Sequence, residues 1–547
     1  MPHDLREPGT ASRMFPLLPA LHSADLMDTP TPKPPAADGE TPLLERLREA
    51  VALLEAIDAN RGLLAGAPAE EVQRLLHATR KVSEPDHRAR RKLVKASARQ
   101  RKAARTQQAE TLLSATGIRE LRRKPVFTTP NVYPPKQVAP DDPSDASARE
   151  LGESQHCYVC KQHYVQVHHF YDQLCPACAA FNFAKRTELA DLRGRVALLT
   201  GGRVKIGYQA GLKLLRCGAR LIVTTRFPRD SAARYASEPD FAEWSDRLEI
   251  FGLDLRHTPS VEAFCHELLR RHTRLDFIVN NACQTVRRPP GFYEHMMAGE
   301  TAALHTLTAS ERSVLGAYEG LRSYRMLPET GAESPSTPGQ RLAGVTGLTH
   351  AAELSQVPLL PEDGAGRSLF PEGKLDQDLQ QVDLRGRNSW RLLMAEVSSV
   401  ELLEVQLVNA VAPFIINARL KPLMVQTPGR DKHIVNVSAV EGQFYRSQKT
   451  TRHPHTNMAK AALNMMTRTA ATDYHADGIH MNSVDTGWVT DEDPIEIAVR
   501  KTADHRFHPP LDIVDGAARI VDPIISGINS GKHVWGQFLK DYRRTDW

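Results

Sequence analysis

Short apolar runs alternate with polar, helix-spaced stretches through the second half of the chain. Val196–Leu199 breaks into Thr200-Gly201-Gly202-Arg203-Val204-Lys205-Ile206-Gly207, after which Tyr208–Cys217 reads as a helix. Leu221-Ile222-Val223 ends in Thr224-Thr225-Arg226, Leu248–Leu253 in Asp254-Leu255, and Phe277-Ile278-Val279 in Asn280-Asn281-Ala282-Cys283. Continuous apolar runs of this length, separated by helical stretches, predict an α/β fold with a doubly wound parallel sheet. The glycine turn opening a helix predicts an anion site: the backbone comes close to a pyrophosphate there, and free N–H groups and the helix dipole hold it.

The first half is patterned differently. Residues 1–40, with Thr29-Pro30-Thr31-Pro32-Lys33-Pro34-Pro35, lack apolar periodicity and predict a disordered tail. Residues 41–124 predict a helical region. Leu43, Leu44, Leu47, Val51, Leu54 and Ile57 recur at helical spacing, and Val72, Leu75 and Leu76 mark a second helix that pairs with the first as a hairpin. A third segment, Arg88 to Arg105, is strongly basic with almost no acids. Such a run could bind RNA, DNA or an acidic face of a protein partner, but without interleaved aromatics it reads first as a solvated helix or tether. Proline-rich residues 125–150 predict an extended linker.

In 151–190, Cys157-x-x-Cys160 and Cys175-x-x-Cys178 are separated by fourteen residues. Two such knuckles supply four thiolates for tetrahedral zinc, and four protein ligands leave no open position, so the metal is expected to be structural. His156, His163, His168 and His169 lie in the same segment as alternative ligands or surface residues. At 547 residues the chain holds more than one domain, and a net charge of +5 gives no field that argues for nucleic acid. No run approaches eighteen uninterrupted apolar residues, and Asp4, Arg6, Glu7, Arg13 and Asp25 interrupt the region where a leader would need an apolar core. With seven cysteines in no disulfide-dense pattern, these features predict a cytoplasmic protein without a membrane span.

Seven segments occur in the order seen in short-chain dehydrogenases/reductases: Thr200 to Gly207, Asp254-Leu255, Asn280 to Cys283, Val408 to Phe414, Ile434 to Ser438, Met458 to Leu463 and Asn482 to Val489. Residues 191–547 resemble that family, with an insertion at about 285–395. The resemblance implies a Rossmann domain and an oxidoreductase with a small carbonyl or alcohol substrate. It implies cofactor contacts from Thr200, Gly201, Arg203, Lys205, Ile206, Gly207, Thr225, Arg226, Asp254, Leu255, Asn280, Asn281, Ala282, Lys460, Thr486, Gly487 and Val489. It also implies pairing of two copies through the helices bearing Asn409 and Lys460. The second strand ends in Arg226 and no acid, which favours NADP(H) over NAD(H). Lys205, at the position of the family's usual middle glycine, adds a second cation.

The family's proton relay is incomplete. Lys460 and Asn409 are present, but Thr456 stands at the tyrosine position and Ala439 at the serine position, behind Ser438. A threonine hydroxyl is far too weak an acid for the role, and loss of a positioned acid costs about 10²- to 10⁴-fold. Two expectations follow. Either Tyr445, His453 or His455 supplies the proton with help from Ser438, or the domain is a sensor or scaffold that binds NADP(H) without carbonyl chemistry. In the insertion, the flanks are expected to overhang the site, with Arg287 and Arg288 selecting an anionic substrate. Residues 328–372 read as a flexible flap, and Ser398-x-x-Glu401 as a capping box.

Overall fold

The computed structural model describes residues 42–129, 150–326, 346–364, 367–446 and 449–547. The predicted tail and nearly all of the predicted linker lie outside the described residues. The chain divides into two units, Met1–Arg101 and Lys102–Trp547.

The first unit is helical. α1 (Pro42–Ala59) is followed by a 3-10 segment, Arg61–Gly66, then α2 (Ala69–Ser83) and the start of α3 (His87–Ser114). Asn60 caps the 3-10 segment by accepting the Gly62 N–H, and Asp86 caps α3 by accepting the Ala89 N–H. The expected hairpin core is not formed: no described residue of this unit is buried, and Leu47 and Val51 are 58% and 47% exposed. Short helices this exposed bury too little surface to enclose a core.

The second unit opens with α4 (Gly117–Arg123) and a small antiparallel ladder of β1 (Glu150–His156) and β2 (His163–Gln166), followed by α5 (Pro176–Thr187). Cys175 is the N-cap of α5 and Pro176 its first residue, where a missing N–H costs nothing. Arg186 of α5 is buried and donates to both carboxylate oxygens of Asp512, at 2.6 and 2.9 Å. Residues 125–129, predicted as linker, are tied to the sheet domain: Phe127 donates its N–H to the Gln377 carbonyl, and Thr129 bonds Gln209 and Glu238.

The main sheet has eight strands: β3 (Val196–Thr200), β4 (Arg220–Thr225), β5 (Leu248–Gly252), β6 (Phe277–Asn280), β7 (Lys432–Ser438), β8 (Ile479–Asp485), β9 (Phe538–Lys540) and β10 (Arg543–Thr545). Their order is β10-β9-β8-β7-β6-β3-β4-β5, parallel except for the β9–β10 pair. The chain starts in the middle, runs out to β5 and returns to β6, so the strand order reverses between β3 and β6, the place where such sheets bind ligands. The register sets Thr200 beside Thr224 and Asn280, which brings the three strand ends to one edge.

Between the strands lie α6 (Lys205–Arg216), α7 (Pro228–Ala236), α8 (Thr258–Arg271), α9 (Glu294–Thr301), α10 (Ala309–Met326), α11 (Ser399–Gln426), α12 (Pro454–Ala476), α13 (Ile495–His505) and α14 (Ile513–Ser530). α11 is long and apolar enough, by length and composition, to cross a membrane. Here its buried Ile416, Leu420 and Leu423 belong to the sheet core.

The insertion corrects one expectation. Residues 328–345 and 365–366 of the predicted flap are outside the described residues, but 346–364 and 367–372 pack onto the sheet domain. Leu348 is fully buried in the main core, and the Asp254 N–H donates to the Gly347 carbonyl at 2.7 Å. Ala352 and Phe370 join Phe227, Phe292, Tyr293 and Met296 in a satellite core. The prolines that suggested a flap flank short apolar anchors, and burial of those anchors outweighs the loop composition.

Candidate functional site

A cavity of about 540 Å³ opens at the switch point between β3 and β6. Its floor is the glycine turn. Gly201 has φ +70°, and a Cβ there would stand 2.8 Å from the Ala282 Cα; a Cβ on Gly207 would stand 2.1 Å from the Gly201 carbonyl oxygen. Neither position admits another residue, and both leave the start of α6 open to the cavity. Lys205 adopts φ +53° in place of the usual glycine, a left-handed conformation costing on the order of 1 kcal/mol. Burial lowers the Lys205 ammonium, but the charges of Glu492, Asp378 and Asp376 outweigh it and hold the pKa above its ordinary value. Lys205 therefore faces acids and not only a prospective phosphate.

Of the predicted cofactor residues, Gly201, Arg203, Lys205, Ile206 and Gly207 line the cavity, as do Thr225, Arg226, Asp254, Leu255, Asn281 and Ala282. Arg226 donates to the Tyr293 phenol at 2.7 Å and stacks on that ring. Burial raises the Tyr293 phenol, yet Arg226, Arg288 and Arg203 bring it below its ordinary value. Arg203 is paired with Asp230 at 2.7 Å. Asp254, expected at an adenine ring, is engaged by Arg256, which also reaches Glu404 at 2.8 Å. Burial raises the Asp254 carboxyl, but Arg256 and Arg226 hold it below its usual range.

The other predicted cofactor residues are not in the cavity wall. Thr200 accepts the Ala282 N–H, and Asn280 donates to Asn417 and Asn436 inside the core. Thr486 bonds the Gly487 carbonyl, the Gly487 N–H goes to Asp485, and Val489 is buried. Residues 490–495, just beyond them, take that place in the wall.

The relay side departs further. Lys460 is buried and donates to the Val437 carbonyl at 2.8 Å. Asn409 lies in a π-helical turn, Leu407–Val411, and its amide bonds both the N–H and the carbonyl of Gln284, at 2.7 and 3.1 Å. Ser438 and Thr456 are buried with hydroxyls that find no partner among the described residues. Tyr445 is 98% exposed on the surface. His455 is 1% exposed and faces Glu401 at 3.3 Å. His453 is stacked on Trp390 at 3.8 Å, and burial pushes its pKa down to about 4. None of these groups lines the cavity. In this structure Tyr445 projects outward from its loop and His455 faces Glu401, so neither is placed to give a proton to the cavity. Ser398 does cap α11 by accepting the Glu401 N–H, but the Glu401 side chain serves His455 instead of closing a capping box.

The insertion contributes wall residues that spacing gave no sign of: Asp376, Gln380, Asp383, Arg385 and Asn388. Arg288 lines the cavity, where it and Arg385 share Asp383. Arg287 does not select a ligand: it is buried, bidentate on Asp363 at 2.5 and 2.7 Å, and bonded to Glu404 at 3.0 Å.

Cys157, Cys160, Cys175 and Cys178 converge, with all four sulfurs within 4.8 Å of one another and Cys160 to Cys175 at 3.7 Å. The Gln162 backbone N–H is the main cause that brings the Cys160 thiol down to about 7. The histidines of the segment do not join them: His156 packs on His163, and His168 on His169.

Residues 195–301 match the family profile described as short chain dehydrogenase, and residues 388–507 that described as Enoyl-(Acyl carrier protein) reductase. An uncharacterised protein of Acanthamoeba polyphaga mimivirus is 28% identical over 400 residues, covering 70% of this chain and 74% of that protein. Dehydrogenase/reductase SDR family member 13 of Bos taurus is 37% identical over 108 residues, 18% of this chain and 28% of that protein. Retinol dehydrogenase 14 of Mus musculus is 33% identical over 116 residues, 18% of this chain and 34% of that protein, so the chain spans about a third of these mammalian relatives. Among solved structures, the RhlG/NADP active-site complex of Pseudomonas aeruginosa aligns with TM-score 0.38 and 16% identity over 64% of this chain and 95% of that one. A dehydrogenase/reductase from Sinorhizobium meliloti gives TM-score 0.38 and 16% identity over 66% and 97%. The two profile matches carry β3 to β6 and the whole span from α11 to α13, on either side of the insertion, and over these segments the chain is a member of the short-chain dehydrogenase/reductase family.

Proposed function

We propose that the cavity binds NADP(H) and that the domain is an oxidoreductase acting on a small carbonyl or alcohol substrate. The observation that carries the cofactor is Arg226: it stands at the end of β4, faces the cavity, and makes no carboxylate ion pair among the described residues. A cation at this place suits a 2′-phosphate, whereas an NAD site places a carboxylate. The glycine turn, too tight for a Cβ at 201 or 207, fits a pyrophosphate against the start of α6. When bound, the nicotinamide would give or accept a hydride. The chain's part is to hold the nucleotide with Arg226 and the turn, and to fix Gln284 through Asn409.

A second reading, a nucleotide-binding sensor without carbonyl chemistry, is favoured by the relay side, where no predicted proton donor lines the cavity. Calorimetry with NADPH and NADH, then NADPH oxidation across aldehydes and ketones, separates the two. An enzyme turns over and loses that turnover in Lys460→Ala. A sensor binds NADPH and turns over nothing until Thr456→Tyr and Ala439→Ser restore the relay together. Equal affinity for NADPH and NADH would refute the role of Arg226.

We also propose that the four thiolates hold one structural zinc ion. Elemental analysis is expected to find about one zinc per chain, and metal-free protein would overturn the assignment.

A further inference from the structure

The four-cysteine module and the cavity share a set of side chains. Tyr158 sits inside the first knuckle, between Cys157 and Cys160, and its N–H donates to the Gln173 carbonyl at 2.9 Å. Its phenol oxygen accepts the backbone N–H of Trp488, also at 2.9 Å. The next residue, Val489, is buried in the apolar cluster that contains Cys157, Leu174 and Ala179. The other three cysteines and Ile206 pack against that cluster. Ile206 belongs to the glycine turn, and residues 490–495 form the cavity wall directly after Val489.

The far side of the loop is fixed by the sheet. Asp485, at the end of β8, accepts the Gly487 N–H at 2.9 Å and the Val440 N–H at 2.8 Å, and Lys540 reaches it at 3.3 Å. The Lys540 ammonium also lies over the Tyr158 ring, 5.5 Å from its centre. The wall segment therefore leaves the sheet and is gripped by the first cysteine knuckle at Trp488, two residues before it enters the cavity. A fold held by metal loses order when the metal leaves, so the state of the four sulfurs is transmitted to this wall.

We propose that the cysteine module is a clamp on the cavity, with Tyr158 as a positioning residue, so that metal in the four-thiol site orders residues 487–495. The nucleotide half of the test rests on reading the cavity as an NADP(H) site; the clamp itself does not. Hydrogen exchange on the full chain is compared among wild type, Tyr158→Phe and chelator-stripped protein, with zinc content and melting temperature recorded for each. Tyr158→Phe is expected to keep one zinc per chain and the global melting temperature. Its exchange over 490–495 rises severalfold and its NADPH affinity falls about threefold, as for loss of one hydrogen bond that holds the loop. By linkage, NADPH is expected to slow zinc transfer to a chromogenic chelator, the reciprocal of zinc improving NADPH affinity. Identical exchange over 490–495 in all three proteins overturns the clamp, even if NADPH binds normally. Faster exchange in Tyr158→Phe with no NADPH binding by wild type upholds the clamp and overturns the cofactor reading.

Discussion

The two halves of the carboxyl edge treat their polar side chains in opposite ways. Over β3, β4 and β6, Arg226 faces an open cavity and meets no carboxylate within ion-pair distance among the described residues. Over β7 and β8, Lys460 is turned to a backbone carbonyl, His455 to Glu401, and Asp485 to backbone N–H groups and Lys540. Charge left uncommitted in a cavity serves a ligand, while charge consumed internally serves the fold. Substitutions on the first half are therefore expected to change binding without stability, and those among committed charges to change stability.

The largest effect is expected at Arg287, which satisfies Asp363 and Glu404 in the interior. Arg287→Ala leaves the buried Asp363 carboxylate without its ion partner and Glu404 with Arg256 alone, and is expected to cost about 3–5 kcal/mol in denaturant unfolding. A loss under ~1 kcal/mol would show that the insertion is not anchored there. Next comes Arg226→Ala, expected to weaken NADPH binding by roughly 1.5–3 kcal/mol, since it removes charged hydrogen bonds to a phosphate, with NADH affinity unchanged. If both nucleotides weaken equally, Arg226 holds Tyr293 and the wall instead of the 2′-phosphate.

A graded effect is expected from pH on the β7–β8 half. His433 of β7 bonds His533 at 2.9 Å, and His480 of β8 stacks on His533. Burial first, and then the neighbouring rings, lower His433 well below its ordinary value; burial also lowers His480 and His533. The folded pKa values lie below the unfolded value near 6.5, so the unfolded chain binds more protons in acid. Stability is expected to be full above about pH 6.5 and to fall as the pH drops below it. In His433→Gln, a shallower acid limb, with His480 and His533 still contributing, is the expected signature in thermal melts. An unaltered acid limb would place the sensitivity elsewhere.

The sheet was legible because buried parallel strands must be continuous apolar runs, and the turn because only glycine fits at 201 and 207. The cysteine cluster was legible because two knuckles at that spacing fold onto one point. The cavity wall from the insertion was not: Asp376, Asp383 and Arg385 are placed by Leu348 and Phe370, whose isolated apolar positions have no period to read. Nor does spacing reveal that Asp254 and Arg287 are consumed by internal partners, since a charged residue looks the same in sequence whether it meets a ligand or another side chain.

The smallest effect is expected at Tyr445, and it bears most directly on the relay half. A phenol suits the missing acid in chemistry, and the loop after β7 is where the family carries its relay. The side chain is 98% exposed, however, and the same loop is held down by its other residues. Lys449 donates to the Glu441 and Gln443 carbonyls, and Arg446 pairs with Glu441 at 2.8 Å. Bringing Tyr445 to the cavity would break those bonds and bury a phenol now hydrated. Tyr445→Phe is therefore expected to leave stability within about 0.5 kcal/mol of wild type, and NADPH affinity and any turnover within about twofold. A fall of roughly 10²-fold or more in turnover with unchanged NADPH affinity is the signature of a lost general acid. That result would mean the loop closes over bound nucleotide, and the two halves of the edge would then differ in conformation before binding instead of in function.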